Sequence, residues 1–318
     1  RRIGIRSPFI SHPEKAATMT DLEFKTDMEF AYGTPRELAP GVVRFVANNP
    51  SVFTFKGTNT YIIGSDDLAI IDPGPEDDVH FQAIIDFVGG RTVSHIVITH
   101  THRDHIDGLP RMADATKAKV CGFGRDSSNQ GALINPESTE YIDASFSPDI
   151  ILKDGDTVKG SNWTLEALFT PGHAPDHLCF ALPEQKVLFS GDHVMGWNTT
   201  VVAPPEGSMS AYMTSLEKLM GRPDTVFFPG HGGQIPDPQR MVRGYMVHRN
   251  WREQAILGAI RDGHTTISDV VKLVYKGLDE RLVNAASLSV QAHVDFLIEK
   301  NLVKCDGPTS FTCELAPV

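Results

Sequence analysis

The sequence predicts an α/β domain followed by a smaller helical module. Three patterns carry that prediction. Short apolar runs bounded by Gly, Asn and Asp recur up to Gly232, as strands do. Segments with helical spacing of apolar residues lie between them. Beyond Gly232 the periodic segments lengthen into helices and end in two short strand-like pieces around a turn.

In chain order, "GVVRFVANN", "TNTYIIG" and "LAIIDPG" read as strands. "EDDVHFQAIIDFV" has helical spacing and an acidic first turn, as a helix N-terminus favours. "SHIVIT" is a buried strand, "LPRMADATKA" a short helix and "AKVCGF" another strand. Gly124 to Pro148 is polar, with little periodicity, and reads as an excursion near a site mouth. A second strand set follows in "WTLEALF", "HLCFAL" and "KVLFSGD", then the helix "SMSAYMTSLEKLM" and the strand "TVFFPGH". In that helix the stripe Tyr212, Leu216 and Leu219 reads as core. "PQRMVRGYMVHRNWREQAILGAIRDG" is a long helix closed by Gly263. "TISDVVKLVYKG", capped by Thr266 or Ser268, and "SLSVQAHVDFLIEKN" are two more. "LVKCD" and "SFTCEL" flank the turn "GPT". Three helices and a hairpin give the winged-helix order. The expected division is an extension of little structure at 1–30, a first domain at 31–240 and a winged-helix-like domain at 241–318.

The chain has 318 residues, 41% of them hydrophobic, enough for a large core. No stretch approaches the roughly 20 apolar residues of a membrane span. The segment before Met19 is basic without the apolar run of a secretory signal, and Met19 stands as an alternative start that would leave residues 1–18 without a role. Cys121, Cys179, Cys305 and Cys313 form no CxxC pair and read as thiols of a reducing compartment, so a cytoplasmic location is expected. The net charge is −11, against the basic footprint that nucleic-acid binding favours. From residue 245 onward 8 basic side chains face 9 acidic ones, so the helical module is no exception.

The chemistry concentrates in "ITHTHRDHIDG", where His100, His102, Asp104 and His105 follow an apolar run. Imidazole and carboxylate are the usual ligands of zinc and harder divalent ions. His100 and His102 are two apart, so extended backbone sends both to one side. Crowding ionisable groups at a strand end costs stability unless something takes their lone pairs. Three distant candidates also follow strands: His173 in "FTPGHAPDH", Asp192 in "LFSGDH" and His231 in "FFPGHGG". Read singly, each is as easily a turn or capping residue. Together with the cluster they make a ligand set.

This ordered set resembles the metallo-β-lactamase superfamily, with H-x-H-x-D-H followed by a later His, Asp and His. The resemblance covers roughly residues 40–235 and fills every ligand position. It implies a four-layer αββα sandwich around two divalent metal ions roughly 3.5–4 Å apart. His100, His102 and His173 would hold the first, Asp104, His105 and His231 the second, and Asp192 would bridge. Zinc is the expected metal, with manganese or iron as alternatives. Asp72, in "IIDPG", matches an aspartate behind the ligands and is assigned an orienting role, with a plain turn residue as the alternative. "HRNWREQAIL", "NTYIIG", "GWNTTV" and the winged-helix pattern are similar to the branch containing lactamase-beta-like protein two, a mitochondrial endoribonuclease. Asp107 stands where many members carry glycine.

The resemblance implies hydrolysis by a metal-bridging hydroxide, since two ions let a water ionise near neutral pH. Asp104 would be ligand and proton acceptor; His177 is the first candidate for protonating the leaving group, with a structural role as the alternative. Asn198, Thr199 and Thr200 are expected in the pocket wall. His193 reads as structural; His80, His95 and His264 read as surface or core. His248, Arg249 and Arg252 read as a solvated helix face or an inter-domain brace, with an RNA contact as the minority reading. The motif does not choose the bond cleaved. A small ester, thioester or related acyl substrate is the first expectation. Single-stranded RNA is the second, and a nucleic-acid-binding sensor without turnover the third. A homodimer is left open, and no membrane partner is expected.

Overall fold

The computed structural model describes residues 22–124, 145–278 and 280–318. Among them, two sheets form the body. The first has seven strands in chain order: β1 (Arg36–Ala39), β2 (Val42–Val46), β3 (Asn59–Ile63), β4 (Asp67–Ile71), β5 (Thr92–Val97), β6 (Lys119–Gly122) and β7 (Ile150–Ile151). Neighbours are antiparallel from β1 to β4 and parallel from β4 to β7. The second sheet contains β8 (Thr157–Lys159), β9 (Thr164–Phe169), β10 (Leu178–Leu182), β11 (Val187–Gly191) and β12 (Val226–Pro229). It is antiparallel except between β11 and β12.

The sheets pack face to face. Ile71 and Val97 of the first sheet share one apolar cluster with Leu165, Phe180 and Phe189 of the second. Side chains alternate across a strand, so both faces of each sheet must be covered. In β10, Leu178, Phe180 and Leu182 point between the sheets, while Cys179 and Ala181 point outward into a second cluster. Helices α1 (Asp78–Val88) and α3 (Leu109–Thr116) cover the outer face of the first sheet through Ile84, Val88 and Met112. Helix α4 (Met209–Leu219) covers the second with Tyr212, Leu216 and Leu219, the stripe read as core. The layers are therefore helix, sheet, sheet, helix. Fully burying a side chain such as Phe180 or Phe189 stabilises by about 1.5–3 kcal/mol.

The C-terminal part is built on α5 (Pro238–Arg261), α6 (Ile267–Val274), α7 (Val283–Glu299) and the antiparallel pair β13 (Val303–Cys305) and β14 (Leu315–Pro317). Thr266 caps α6 by accepting from Asp269 N–H. The expected division at 240/241 falls inside α5. Val242 and Tyr245 of that helix pack on the second sheet's outer cluster, and Ile256, Leu257 and Ile260 pack in the C-terminal core. The strand expected at "SFTCEL" starts later. Cys313 N–H turns back to the Ser310 carbonyl at 3.3 Å, and pairing begins at Leu315 opposite Cys305. Strands β1, β7 and β8 and the single-turn helix α2 (Arg103–Ile106) were not expected. They are two to four residues long, too short for a period to show. Residues 22–30 form no helix or strand but lie on the body: Lys25 N–H donates to the Gly196 carbonyl at 2.8 Å, and the Arg44 guanidinium to the Glu29 carbonyl. Most of the polar excursion after Gly124 lies outside the described residues, as do residues 1–21. No described helix is long and apolar enough to cross a membrane.

His80, on α1, is buried against the Thr60 hydroxyl at 2.8 Å. Burial pushes its pKa down to about 4, with Asp77 opposing. The unfolded chain therefore binds more protons than the folded one between pH 6.5 and about 4. Stability present above about pH 6.5 is lost as pH falls through that window. Taking the His80 pKa as about 4, its share between about pH 7 and about pH 5 is about 2 kcal/mol. Urea unfolding at the two pH values should show a smaller acid loss for His80→Gln than for the parent. Equal losses would refute the assignment.

Candidate metal centre

All the predicted ligands follow carboxyl ends of strands that point to one edge of the sandwich. β4 and β5 are parallel, and β9, β11 and β12 share one direction. After β5 the chain stays extended long enough to present His100 and His102, then enters α2, with His102 at its cap, to present Asp104 and His105. β9 leads to His173, β11 to Asp192 and β12 to His231. All seven side chains are buried.

They converge. His102 Nδ1 lies 2.9 Å from His100 Nε2 and 3.0 Å from His173 Nε2. His231 Nε2 lies 3.3 Å from Asp104 Oδ2 and 3.1 Å from Asp192 Oδ2. Asp192 Oδ2 is also 3.7 Å from His173 Nε2, so this carboxylate faces both groups. Three sets bring their donor atoms within 4.8 Å of one another: His100, His102 and His173; Asp104, His105 and His231; and His100, His105 and Asp192.

The donor set fits divalent cations on observations independent of sequence order. His105 Nε2 and Asp192 Oδ1 are buried without a hydrogen-bond partner. They are 3.6 Å apart, too far to bond each other and compatible with sharing an ion whose ligands sit about 2.0–2.2 Å away. The electrostatics also call for positive charge. Burial drives the pKa of His100, His102 and His173 down, leaving their lone pairs free. Burial opposes protonation of His105 as well, yet Asp104 and Asp192 hold its pKa well above the ordinary value. His231 rises for the same reason, chiefly through Asp192. Asp192 is held well below the usual carboxylate range by His231 and His105 against the effect of burial. A bound cation would replace those protons.

The outward nitrogens of His100, His105, His173 and His231 meet protein oxygens, the last of them the Gly57 carbonyl at 3.3 Å. Asp72 has a left-handed backbone, φ 51°, and its carboxylate accepts from Thr99 N–H, the Thr99 hydroxyl and His105 Nδ1, the last at 2.9 Å. That bond fixes the tautomer with the lone pair on His105 Nε2. The Thr99 hydroxyl also meets His100 Nδ1 at 3.0 Å, and His173 Nδ1 meets the Val201 carbonyl at 2.7 Å. Thr58 donates to Asp104 Oδ2 at 2.7 Å. Thr58, Thr99 and Val201 carried no signal in the sequence, because a lone threonine or a backbone carbonyl has no characteristic spacing.

His177 lies behind the donors. It is fully buried, its Nε2 accepts the Asp192 backbone N–H at 3.1 Å, and its Nδ1 meets the Thr170 hydroxyl at 3.0 Å. Neither nitrogen is left to protonate a leaving group, and the structural alternative fits the geometry. The expected pocket wall is also displaced. Asn198 is exposed and caps its neighbour Thr199, while the Thr200 hydroxyl is buried on the Asp192 carbonyl. Among the described residues, those lining the cleft beside the donors are Phe53, Thr54, Met195 and Val201. Asp107 keeps right-handed helical backbone, φ −58°, so glycine is not needed there, and its side chain pairs with Arg103. His193 is buried against Tyr212, with its pKa pushed down to about 3 by burial. Arg249 is buried and donates to the Thr200 carbonyl, while Arg252 is half-buried on Tyr275 and donates to the Val274 carbonyl. They brace the helix rather than form a solvated face.

Fold, donor set and oriented imidazoles define a metal-dependent hydrolase. The chain belongs to the metallo-beta-lactamase superfamily, whose model matches residues 53–231, and it carries a beta-lactamase associated winged helix domain matching residues 266–308. It is 33% identical over 271 residues to the Drosophila melanogaster beta-lactamase-like protein 2 homolog, covering 82% of this chain and 88% of that one. It is 29% identical over 288 residues to a Paecilomyces divaricatus protein named atrochrysone carboxyl ACP thioesterase, covering 84% and 85%. A solved beta-lactamase domain protein from Burkholderia ambifaria superposes with a TM-score of 0.77 at 21% identity, over 95% of this chain and 99% of that one.

A Cβ on Gly230 would land on Asp192 Oδ1 and crowd His105 Cε1 at 2.8 Å. Gly230→Ala should therefore weaken metal binding by about 10–100-fold, the usual cost of disturbing a ligand's support. Elemental analysis after dialysis would check this, and full occupancy would refute it.

Proposed function

We propose that this chain hydrolyses a small ester, thioester or related acyl compound, with a thioester the first choice. Two divalent ions, zinc first, would be held by His100, His102 and His173 on one side and Asp104, His105 and His231 on the other, with Asp192 between. When bound, such ions supply Lewis acidity and lower the pKa of water. The chain's own residues do the rest. Asp72 and the Val201 carbonyl hold His105 and His173 in the tautomers that face the cleft. Asp104, with Thr58 donating to its Oδ2, is placed to accept a proton beside the cleft. His177 positions Asp192 through its backbone amide and takes no part in proton delivery.

The observation that carries the substrate class is the cleft lining. Outside the donor set, its described lining is Phe53, Thr54, Met195 and Val201, with no lysine, arginine or titratable acid. RNA would need cations along its phosphates. It would also need a proton for an alkoxide leaving group. A thiolate leaves unprotonated, since a thiol has a pKa of about 8.5. Phe53, Met195 and Val201 offer an acyl group an apolar wall beside the donors. The relative named a thioesterase supports this choice.

A metal-loaded preparation assayed against acetyl and longer acyl thioesters and a single-stranded RNA tests the reading. Thioester turnover is expected, falling by at least about 100-fold in Asp192→Asn and Asp104→Ala, as losing a catalytic electrostatic group does. RNA cleavage that disappears in Asp104→Ala, with no thioester turnover, would replace it with the nuclease reading. Tight nucleic-acid retention without any turnover would favour the sensor.

A further inference from the structure

The segment from Asp192 to Val201 belongs to the metal centre at both ends: Asp192 is a donor, and the Val201 carbonyl orients His173. Between those ends it contains no helix or strand. Its shape must therefore be fixed from outside, and the hydrogen bonds show by what. Tyr212 of α4 donates to the His193 carbonyl at 2.6 Å. Tyr245 of α5 accepts from Met195 N–H at 3.2 Å and donates to the Met195 carbonyl at 2.8 Å, with the Asn198 carbonyl also within reach. Arg249, one turn further along α5, donates to the Thr200 carbonyl. The Thr200 hydroxyl then donates to the carbonyl of Asp192 itself at 2.8 Å.

Arg249 is 4% exposed, and its guanidinium lies over the Tyr212 ring at 5.3 Å. Among the described residues it has no carboxylate partner. An unpaired buried cation is costly, and this one directs its charge-assisted donor at a loop carbonyl one residue from Val201. Arg252, three residues on, serves the C-terminal part alone, through the Val274 carbonyl and the Tyr275 ring.

We propose that Arg249 is a positioning residue for the metal donors, acting through Thr200 on Asp192 and His173, so that the helix leading into the winged-helix domain completes the metal centre. This role gives the helix that joins the two parts a task within the hydrolase. It rests on the metal assignment but not on the choice of substrate.

The test is zinc affinity of the full chain, measured by competition with a chromophoric chelator, beside thermal melting. Arg249→Met and Thr200→Val should each weaken zinc binding by about 10–100-fold. The double variant should be no weaker than Arg249→Met by more than about threefold, because the two groups act in one chain of contacts. Arg249→Lys should recover part of the loss. Arg252→Met should lower the melting temperature and leave zinc affinity unchanged. Should Arg249→Met unfold, Thr200→Val, which removes only the hydroxyl that passes the contact on to Asp192, gives the same readout. Equal zinc affinity in Arg249→Met, or in Thr200→Val where that variant stands in, overturns the proposal, as do losses that multiply in the double variant. Failure of the parent to bind zinc, manganese or iron would overturn the metal assignment with it.

Discussion

Five imidazoles and two carboxylates share one buried spot, and nearly every feature around them answers the cost of putting them there. Isolated charges are expensive to bury, and a half-satisfied polar network is worse than an apolar one. The fold meets this cost in two ways. It sets protein oxygens against the outward nitrogens of His100, His105, His173 and His231, which fixes how those rings are turned. It also leaves the inward lone pairs opposed, in a geometry that a divalent cation would stabilise. Left-handed Asp72, side-chain-free Gly230 and the fully buried His177 all follow from that demand.

The two sheets supply rigidity. Central strands such as β10 are apolar on both faces, and the metal-ligating side chains gather where the strands end. The donors therefore come from four separate strand ends, and their separation depends on how the sheets stack.

Much of this was legible in the sequence. His100, His102, Asp104, His105, His173, Asp192 and His231 could be named because each follows an apolar run and their residue types are costly without a ligand. The sandwich was legible through resemblance to a known family, and the three helices and hairpin through periodicity. What was not legible depends on the fold in space. Thr58 and Thr99 matter only through the atoms they meet. The cleft wall was expected at Asn198 to Thr200 because polar text reads as pocket text, whereas the structure turns those residues outward or behind Asp192 and leaves Phe53, Met195 and Val201 facing the donors. Basic text on a helix reads equally as a solvated face or as a brace, and only the burial of Arg249 against Tyr212 and its bond to the Thr200 carbonyl decide for the brace.

Helix α5 runs without a break from the second sheet's outer cluster into the C-terminal core. A single rigid rod shared by two hydrophobic clusters ties their cooperativity together, so neither cluster can melt without fraying the other. Heating should then produce one calorimetric transition where two autonomous domains would give two. For the same reason the C-terminal part of this chain is no bead on a string: adding or removing one residue within α5 would turn one cluster's contact face about 100° away from the other's.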